Sequence, residues 1–259
     1  MCNQSCLVFG AQNLSEPEIR TKSILEVGSR DVNGSLRPYL QSLYPTSYVG
    51  TDIYPGPGVD LICNAEHLTA RFGPNAFDVV VSTEMMEHAR NWQEVIINLK
   101  SVLRPAGILL LTTRSRGFHF HEAPHDFWRY ELSDMQQIFS DFHIQVLQPD
   151  LQEPGVFLKA RKPLDYSPND LSGLLLYSMV THTHVHSVAG PCESKYEGKL
   201  VRREGDTPED RKVYLIRESL RHWIINSAWI QANGFRWPED VTVIPTQELD
   251  EIPAGDPIS

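Results

Sequence analysis

The first residues in this chain that could bind a ligand are a glycine loop and a carboxylate, each of which follows an apolar segment. The segment Ser23 to Val27 leads into Gly28, and Tyr48 to Thr51 leads into Asp52. Glycine allows a sharp turn and lets the backbone approach a ligand closely. A carboxylate roughly 20 residues further on can accept hydrogen bonds from ribose hydroxyls. The glycines alone are a weak signal, but together with the acid they predict a site for an adenosine-containing ligand.

A second group with potential chemistry is the aromatic, histidine-rich stretch Arg114 to Tyr130. Histidine titrates near neutral pH, so His121 and His125 are candidates for a general base, with His88 as a third. Each of them could equally be a structural or substrate-orienting histidine. Arg129 could clamp an anionic group of a substrate or tie the stretch to the protein core.

Two histidine groups could in principle hold a metal ion. The first comprises His119, His121, His125 and Asp126, and the second is the alternating run Thr181 to His186. The first group is irregularly spaced in a loop, and the second lacks a nearby cysteine or carboxylate to complete a site. We therefore predict no metal site and interpret the second group as part of a solvated linker.

The elements that must position these groups alternate between apolar strands and helix-like segments from Ile24 to about Lys162. This alternation is typical of a parallel sheet covered by helices on both faces. We predict strands at residues 23–28, 47–52, 59–63, 77–82 and 107–113. Two further strands, at residues 143–147 and 155–162, are expected to form an antiparallel hairpin.

The connections between these strands are less uniform. Apolar residues recur at helical spacing from Trp92 to Leu103, and Pro105 and Gly107 are expected to stop that helix. Ser133 to Gln136 has the form of a capping box that opens another helix. The segment Ile53 to Gly58 is too short for a crossover helix, since parallel neighbours usually need about a dozen linking residues. We expect an abbreviated connection there.

Composition and charge limit the class of protein. The chain has 259 residues, of which 41% are hydrophobic, and a formal net charge of -10. This length predicts one core domain and a smaller one, and the negative charge argues against nucleic acid as a partner. The four cysteines lack the pattern of a disulfide framework, so we expect reduced thiols. Because we find no membrane span or secretory leader, we expect a cytoplasmic protein that acts on a small molecule or a neutral glycan.

The alternation of strands and helices stops after Pro163. We predict three parts: a first domain at residues 1–163, a connecting element at 164–196 and a small accessory module at 197–259.

Two interpretations of the module are open. In the preferred one, strands lie near Leu200, over Val213 to Arg217 and over Leu220 to Ile225, and a short helix follows. In the competing one, a single long helix runs from Thr207 to Ala232. The alternation of β-branched and aromatic residues favours the strands.

The order of these motifs is specific enough to indicate a family. Over about residues 22 to 162, the chain resembles the class I S-adenosylmethionine-dependent methyltransferases, in particular those of quinone biosynthesis. The resemblance rests on Leu25 to Gly28, Tyr48 to Asp52, Cys63 to Ala65, Ser82 to His88 and Leu103 to Gly107. It implies an α/β fold with a Rossmann-like seven-strand methyltransferase sheet, here followed by a small C-terminal α+β module.

The same resemblance implies S-adenosyl-L-methionine as the cofactor. Glu26, Gly28 and Ser29 would lie at its methionine end, and Asp52 would bind the ribose diol. The other implied contacts are Ile53 on a face of adenine, Asn64 and Ala65 at the adenine edge, and Ser82 and Thr83 at the amino acid part. Taken without the family, Asp52 and Asn64 could simply cap turns.

One departure from the family pattern concerns the glycines. The family often has Gly-x-Gly-x-Gly, whereas Arg30 occupies the second glycine position here and the next glycine is Gly34. A longer loop must then surround the cofactor. Arg30 and Asn33 also stand where an NAD-type Gly-x-Gly-x-x-Gly needs glycines, which argues against hydride transfer.

The sequence therefore predicts methyl transfer from S-adenosylmethionine to a small-molecule or glycan-linked acceptor, on oxygen or nitrogen rather than carbon. The predicted catalytic residues are His121, His125 and Arg129. The alternative is a non-catalytic cofactor-binding or scaffold protein, which the degenerate glycines favour and the histidine-rich stretch opposes. The module at 197–259 resembles repeats of bacterial surface proteins, which implies a role in binding or docking. The alternative is a domain that only seals the core or forms a homodimer.

Overall fold

Two compact units make up the chain in a computed structural model, Met1–Val188 and Ala189–Ser259. The structure describes residues 4–121, 126–188, 195–217, 220–252, 254–255 and 257–258. The predicted catalytic residue His125 lies outside these ranges.

The first unit is built on a seven-stranded sheet. Its strands, in chain order, are β1 Ser23–Val27, β2 Ser47–Asp52, β3 Leu61–Ile62, β4 Phe77–Thr83, β5 Leu103–Arg114, β7 His143–Pro149 and β8 Gly155–Arg161, with the short β6 Trp128–Arg129 outside the sheet. The order across the sheet is β3-β2-β1-β4-β5-β8-β7. Neighbouring strands are parallel in the part of this order that runs β3-β2-β1-β4-β5. Strand β8 pairs antiparallel with both β5 and β7. The predicted Rossmann-like seven-strand sheet and its terminal hairpin are confirmed.

Helices cover both faces of this sheet. They are α1 Gln4–Asn13, α2 Glu16–Ile19, α3 Arg37–Ser42, α4 Leu68–Phe72, α5 Trp92–Val102 and α6 Leu132–Ile138, with two single-turn 3-10 helices at Ala65–His67 and Met86–His88. Adjacent residues of the central strands point into different cores. On β5, Leu109 packs in the core with α5, whereas Leu110 packs in the core with α1 and α3. This explains the continuous apolar runs, because strands buried on both faces need no polar alternation.

Two local predictions were wrong in detail. The box that opens α6 is formed by Glu131 and Asp134, not by Ser133 and Gln136. The Asp134 carboxylate accepts a hydrogen bond from the Glu131 backbone nitrogen at 2.8 Å, so the helix begins earlier than the Ser133 signal indicated. Likewise, α5 ends at Val102 and β5 begins directly at Leu103, before the proline and glycine that were expected to stop the helix.

Residues beyond Pro163 continue the first unit up to Val188. They form β9 Leu176–Ser178 and β10 His184–Val185. Strand β9 pairs with both β6 and β10, giving a small three-stranded sheet. The stretch that follows Pro163 therefore supplies the strand that pairs with β6, and β6 lies at the end of the histidine-rich loop.

The second unit contains a four-stranded sheet with two short helices. Its elements are β11 Leu200–Arg203, β12 Val213–Arg217, β13 Leu220–Trp223, α7 Ala228–Ala232, β14 Val241–Ile244 and α8 Thr246–Glu251. The order is β13-β12-β11-β14. The strand interpretation is confirmed and the single long helix is wrong, because Tyr214 pairs with Trp223 across an antiparallel ladder. The sequence did not predict β14 and α8.

The helices of the described part of the chain include none with the length and hydrophobicity needed to span a bilayer.

Neighbouring isoleucines on α5 test this arrangement. Ile96 is fully buried, whereas Ile97 is 52% exposed. We expect Ile96→Ala to lower the free energy of unfolding by about 2–5 kcal/mol, because it leaves a cavity in the core. The matched control Ile97→Ala should change it by less than about 0.5 kcal/mol. Urea-induced unfolding followed by circular dichroism measures both, and equal effects would contradict the placement of α5.

Candidate functional site

The predicted ligand-binding residues come together at the carboxyl-terminal edge of β1 to β4. Because these strands are parallel and adjacent, their last residues lie side by side: Val27 is opposite both Thr51 and Ser82, and Asp52 is opposite Ile62. In an open α/β sheet this edge is where ligands bind. The predicted residues at this edge are Glu26, Gly28, Ser29, Asp52, Ile53, Asn64, Ala65, Ser82 and Thr83.

Gly28 makes the turn that leaves β1. Its φ is +77°, in the left-handed region that glycine tolerates. The backbone nitrogens of Gly28 and Ser29 both donate to the Thr51 carbonyl, at 2.8 and 3.0 Å. A Cβ atom on Gly28 would lie 2.7 Å from the side chain of Met85, which follows β4. Both the backbone conformation and the close packing therefore require glycine here.

The abbreviated connection from β2 to β3 packs against the loop that follows β1. At Gly58 the φ is +85°, and a Cβ atom there would lie 2.5 Å from the Ser29 carbonyl oxygen. The Arg37 guanidinium donates to the Gly58 carbonyl at 3.0 Å and forms an ion pair with Asp60. The Asp60 carboxylate in turn accepts from the Gly50 nitrogen at 2.7 Å. This network allows parallel pairing without a crossover helix.

Arg30, which stands where related proteins often have glycine, covers this second loop. Its side chain lies 3.1 Å from where a Cβ of Gly56 would be, and its guanidinium lies 5.8 Å from the centre of the Tyr54 ring. The departure from the family pattern therefore has a structural consequence, which is contact between the two loops.

Asp52 is held at the end of β2 by backbone donors. Its carboxylate accepts hydrogen bonds from the nitrogens of Tyr54 at 2.9 Å and Arg30 at 3.3 Å. Burial raises its pKa, and these bonds work in the opposite direction. Asn64 also has a local partner, since its side-chain oxygen accepts from the Glu66 nitrogen at 2.9 Å and caps the 3-10 helix Ala65–His67.

Glu26 is a buried carboxyl group on β1, only 2% exposed. It accepts a hydrogen bond from the Tyr48 hydroxyl at 2.9 Å. Burial raises the pKa of Glu26 to about 7, and the nearby Asp31 adds to this, while Tyr48 and Arg37 oppose it. The carboxyl group therefore exchanges its proton near neutral pH.

Buried hydroxyls at this edge also fit a polar ligand. The side-chain oxygens of Ser29 and Ser82 are buried and have no hydrogen-bond partner among the described residues. Buried polar groups in proteins are almost always paired. A ligand with many polar groups, such as the nucleoside cofactor that the resemblance implies, can supply the missing partners.

The histidine-rich loop is organised around a buried carboxylate, Asp126. Its Oδ2 accepts from the His121 nitrogen at 3.0 Å and lies 3.3 Å from Nδ1 of the same residue. Arg129 donates to both carboxylate oxygens, with a distance of 2.6 Å to Oδ2. Burial alone would raise the pKa of Asp126, but the bonds from Arg129 and His121 hold it well below its usual range.

Arg129 itself is 1% exposed. Its guanidinium also donates to the carbonyls of His119 at 3.1 Å and Trp128 at 2.8 Å. These contacts correspond to the alternative in which Arg129 ties the loop to the core. Through these bonds to the carbonyls and to Asp126, Arg129 fixes the shape of the loop.

The loop is fastened to the segment that follows β4. The Phe127 nitrogen donates to the Glu87 carbonyl at 2.8 Å, and the Tyr130 hydroxyl donates to the Met86 carbonyl at 3.2 Å. The indole nitrogen of Trp128 donates to the Arg90 carbonyl at 3.0 Å. These bonds bring the histidine-rich loop to the same sheet edge as the glycine loop.

Sequence reasoning missed the most buried acid of this region, Glu87. It is fully buried on the 3-10 helix after β4, and its Oε2 accepts from the Thr113 hydroxyl at 2.8 Å. Its Oε1 lies 3.8 Å from Nε2 of His88, and the rings of His88 and His121 are 4.8 Å apart. The signal available in the sequence was an acid directly beside a histidine at the end of a buried strand.

Glu84 was missed as well. Its φ is 53°, an uncommon conformation for a residue with a side chain, and strained backbone of this kind gathers at functional sites. Its carboxylate forms a buried ion pair with Arg114 and accepts from the Cys6 thiol at 3.3 Å. Burial, and then the neighbouring Glu87, raise the pKa of Glu84 well above its ordinary value, against the effect of Arg114.

Comparison with models of protein families identifies a family for this chain. The model of a methyltransferase domain family matches residues 10–153, more than half of the chain. Among solved structures, the 1,6-didemethyltoxoflavin-N1-methyltransferase of Burkholderia thailandensis is 14% identical, with 62% of this chain and 80% of that chain covered and a TM-score of 0.48. An S-adenosylmethionine-dependent methyltransferase of Mesorhizobium loti is 12% identical, with 59% and 96% covered and a TM-score of 0.45. No curated protein matches the chain.

The matched residues include the glycine loop, Asp52, the end of β4 and the histidine-rich loop. The chain therefore belongs to this methyltransferase domain family.

Proposed function

We propose that this enzyme transfers the methyl group of S-adenosylmethionine to an oxygen or nitrogen atom of a small-molecule or glycan-linked acceptor. One observation carries the proposal: the sheet edge that bears Glu26 and Asp52 also bears His121, through the bonds between the histidine-rich loop and the segment after β4. Methyl transfer needs the donor and the acceptor atom held in line, so binding groups for both must converge.

The proposed cofactor contacts follow the strand ends. Asp52 binds the ribose diol and Glu26 serves the methionine end, where its negative charge complements the ammonium and sulfonium groups. The other proposed contacts are Gly28 and Ser29 in the first loop, Ile53, Asn64 and Ala65 around adenine, and Ser82 and Thr83 beside the amino acid part. The bonds of Asp52 and Asn64 to backbone nitrogens correspond to the turn-capping alternative, and they also fix the direction of each side chain.

On the acceptor side we propose His121 as the residue that contacts the acceptor and takes part in its activation. Asp126 holds His121, and Arg129 holds Asp126, so Arg129 acts as a positioning residue. His125, outside the described residues, remains a proposed catalytic residue. Membership of the methyltransferase family favours catalysis over a scaffold role.

The finer subdivision is also a proposal. We infer a methyltransferase domain at residues 1–163 of the quinone-biosynthesis type, a connecting element at 164–196 and an accessory module at 197–259 that serves in docking or dimer formation. The separate sheet of the second unit supports an accessory module, because it has cores of its own around Val201 and Leu200. The resemblance to repeats of bacterial surface proteins supports a role in binding.

The ribose assignment is tested by Asp52→Ala. We expect the affinity for S-adenosylmethionine to fall about 10- to 100-fold, because hydrogen bonds to a charged group contribute about 1.5–3 kcal/mol. Isothermal titration calorimetry measures the affinity, and Asp170→Ala, an exposed acid of the same unit, is the control. Unchanged affinity in Asp52→Ala would remove the assignment.

The raised pKa of Glu26 makes a prediction about pH. A carboxyl group with a pKa of about 7 is only partly ionised at neutral pH, and a cationic ligand favours the ionised form. Cofactor binding should therefore release protons near pH 7. The affinity should also rise as the pH increases through this value, by up to about tenfold for each unit by which binding lowers the pKa of Glu26. Calorimetry in buffers of different ionisation enthalpy measures the proton.

The control for this experiment is Glu26→Gln, which has no proton to lose. Its affinity should show a flatter pH dependence than that of the wild-type enzyme. If both proteins release the same number of protons, Glu26 is not the group that titrates.

The acceptor side is tested by His121→Ala. We expect turnover to fall by about 100-fold or more while cofactor affinity stays within a few-fold, since removal of a catalytic side chain costs about that much. Turnover is followed as S-adenosylhomocysteine formed with a panel of hydroxylated and aminated acceptors. His143→Ala, on β7, is the control and should behave as wild type. Loss of cofactor affinity with unchanged turnover would instead place His121 in the cofactor site.

A further inference from the structure

We propose that Glu87, His88 and His121 form a binding site for a divalent transition-metal ion, with zinc as the ion that the ligands suit best. Each of the three side chains offers one ligand atom, and these atoms lie within 4.8 Å of one another. Glu87 and His88 follow β4, and His121 follows β5. The site therefore arises only where the loops after two neighbouring strands meet.

The ligand types determine which ion fits. One carboxylate with two imidazoles is a set that zinc uses in catalytic sites, where a fourth position stays open for water or substrate. Magnesium and calcium prefer oxygen ligands alone. A soft ion such as copper(I) prefers thiolate or thioether ligands, which these three residues do not supply. The sequence analysis considered His121 with His119, His125 and Asp126 and predicted no metal site, whereas the structure brings a different set together.

Glu87 supplies the strongest evidence that this place accommodates a cation. Its side chain is fully buried, and its Oε1 has no hydrogen-bond donor among the residues that the structure describes. Nε2 of His88 is 3.8 Å from this oxygen, beyond hydrogen-bond distance. A buried carboxylate oxygen without a partner is costly, and a metal ion bound to it would remove that cost.

The groups behind the ligands are those that metal sites require. A histidine bound to a metal usually gives its other ring nitrogen to a carboxylate, which fixes the tautomer and the orientation of the ring. Asp126 lies 3.3 Å from Nδ1 of His121, and Arg129 holds that carboxylate in place. The Thr113 hydroxyl orients Glu87 in the same way, at 2.8 Å from Oε2.

Such an ion would bear on the choice of acceptor, a consequence that rests on the proposed function. A metal ion lowers the pKa of an oxygen that binds to it. The open position would therefore favour acceptors with an ionisable hydroxyl, such as a phenol or an enol, over amines. Cation binding itself is independent of the proposed function.

The experiment is a titration of zinc into the whole chain after treatment with a chelator, without cofactor or acceptor. Isothermal titration calorimetry measures the affinity. We expect one site on the wild-type protein, with affinity at least about tenfold weaker in Glu87→Gln and in His121→Ala. The control His184→Ala removes a histidine of β10 and should keep the wild-type site. Circular dichroism shows whether each variant is folded. Cobalt(II) in place of zinc should give visible absorption bands only in proteins that keep the site.

A further variant addresses the case in which Glu87→Gln does not fold. Thr113→Val keeps the shape of the threonine but removes the hydroxyl that orients Glu87, so it should weaken zinc binding by about 10-fold or more. The proposal is overturned if the wild-type protein binds no zinc at micromolar concentrations, or if Glu87→Gln and His121→Ala bind zinc as tightly as the wild type. Because this titration contains no cofactor, either result leaves the proposed methyl transfer to be judged by its own experiments.

Discussion

Parallel pairing of β1 with β4 is the constraint on which the rest of the first unit depends. Leu25 lies opposite Val80 at the centre of the sheet, and both side chains are fully buried. Because the two strands point the same way, the loops that follow them leave at the same edge. The turn at Gly28 then meets Met85 so closely that a side chain larger than hydrogen would collide. Core packing on both faces thus places the two loops that hold the candidate site.

Buried charge is the second theme of this edge. Asp126 and Arg129 neutralise each other and shape the loop around His121, so this pair supports geometry more than stability. The charges of Glu26 and Glu87 are less completely neutralised. Burial raises the pKa of Glu26 to about 7, and one carboxylate oxygen of Glu87 has no hydrogen-bond donor among the described residues. Carboxyl groups in that condition are candidates for binding a cation, whether the ammonium or sulfonium group of a cofactor or a metal ion.

Much of the fold was predictable because the central strands are long, apolar and buried on both faces. The seven strands and helix α5 could be located from apolar runs and helical spacing alone. Shorter signals were less reliable: two capping boxes overlap between Glu131 and Gln136, and only the first of them forms. Strand β14, Val241–Ile244, was missed although all four of its residues are β-branched, a composition that favours strands.

The sequence by itself determined which residues sit at the strand ends, because a strand end and its following residue are neighbours along the chain. The family resemblance that these motifs carry implied the cofactor class. Only the tertiary structure decided how His121 meets Glu87 and what Arg129 contacts. Those relations depend on a long loop that crosses from β5 to the segment after β4, held by bonds such as that from the Phe127 nitrogen to the Glu87 carbonyl. Contacts between residues so far apart in sequence follow from packing of the whole unit, and no local pattern records them.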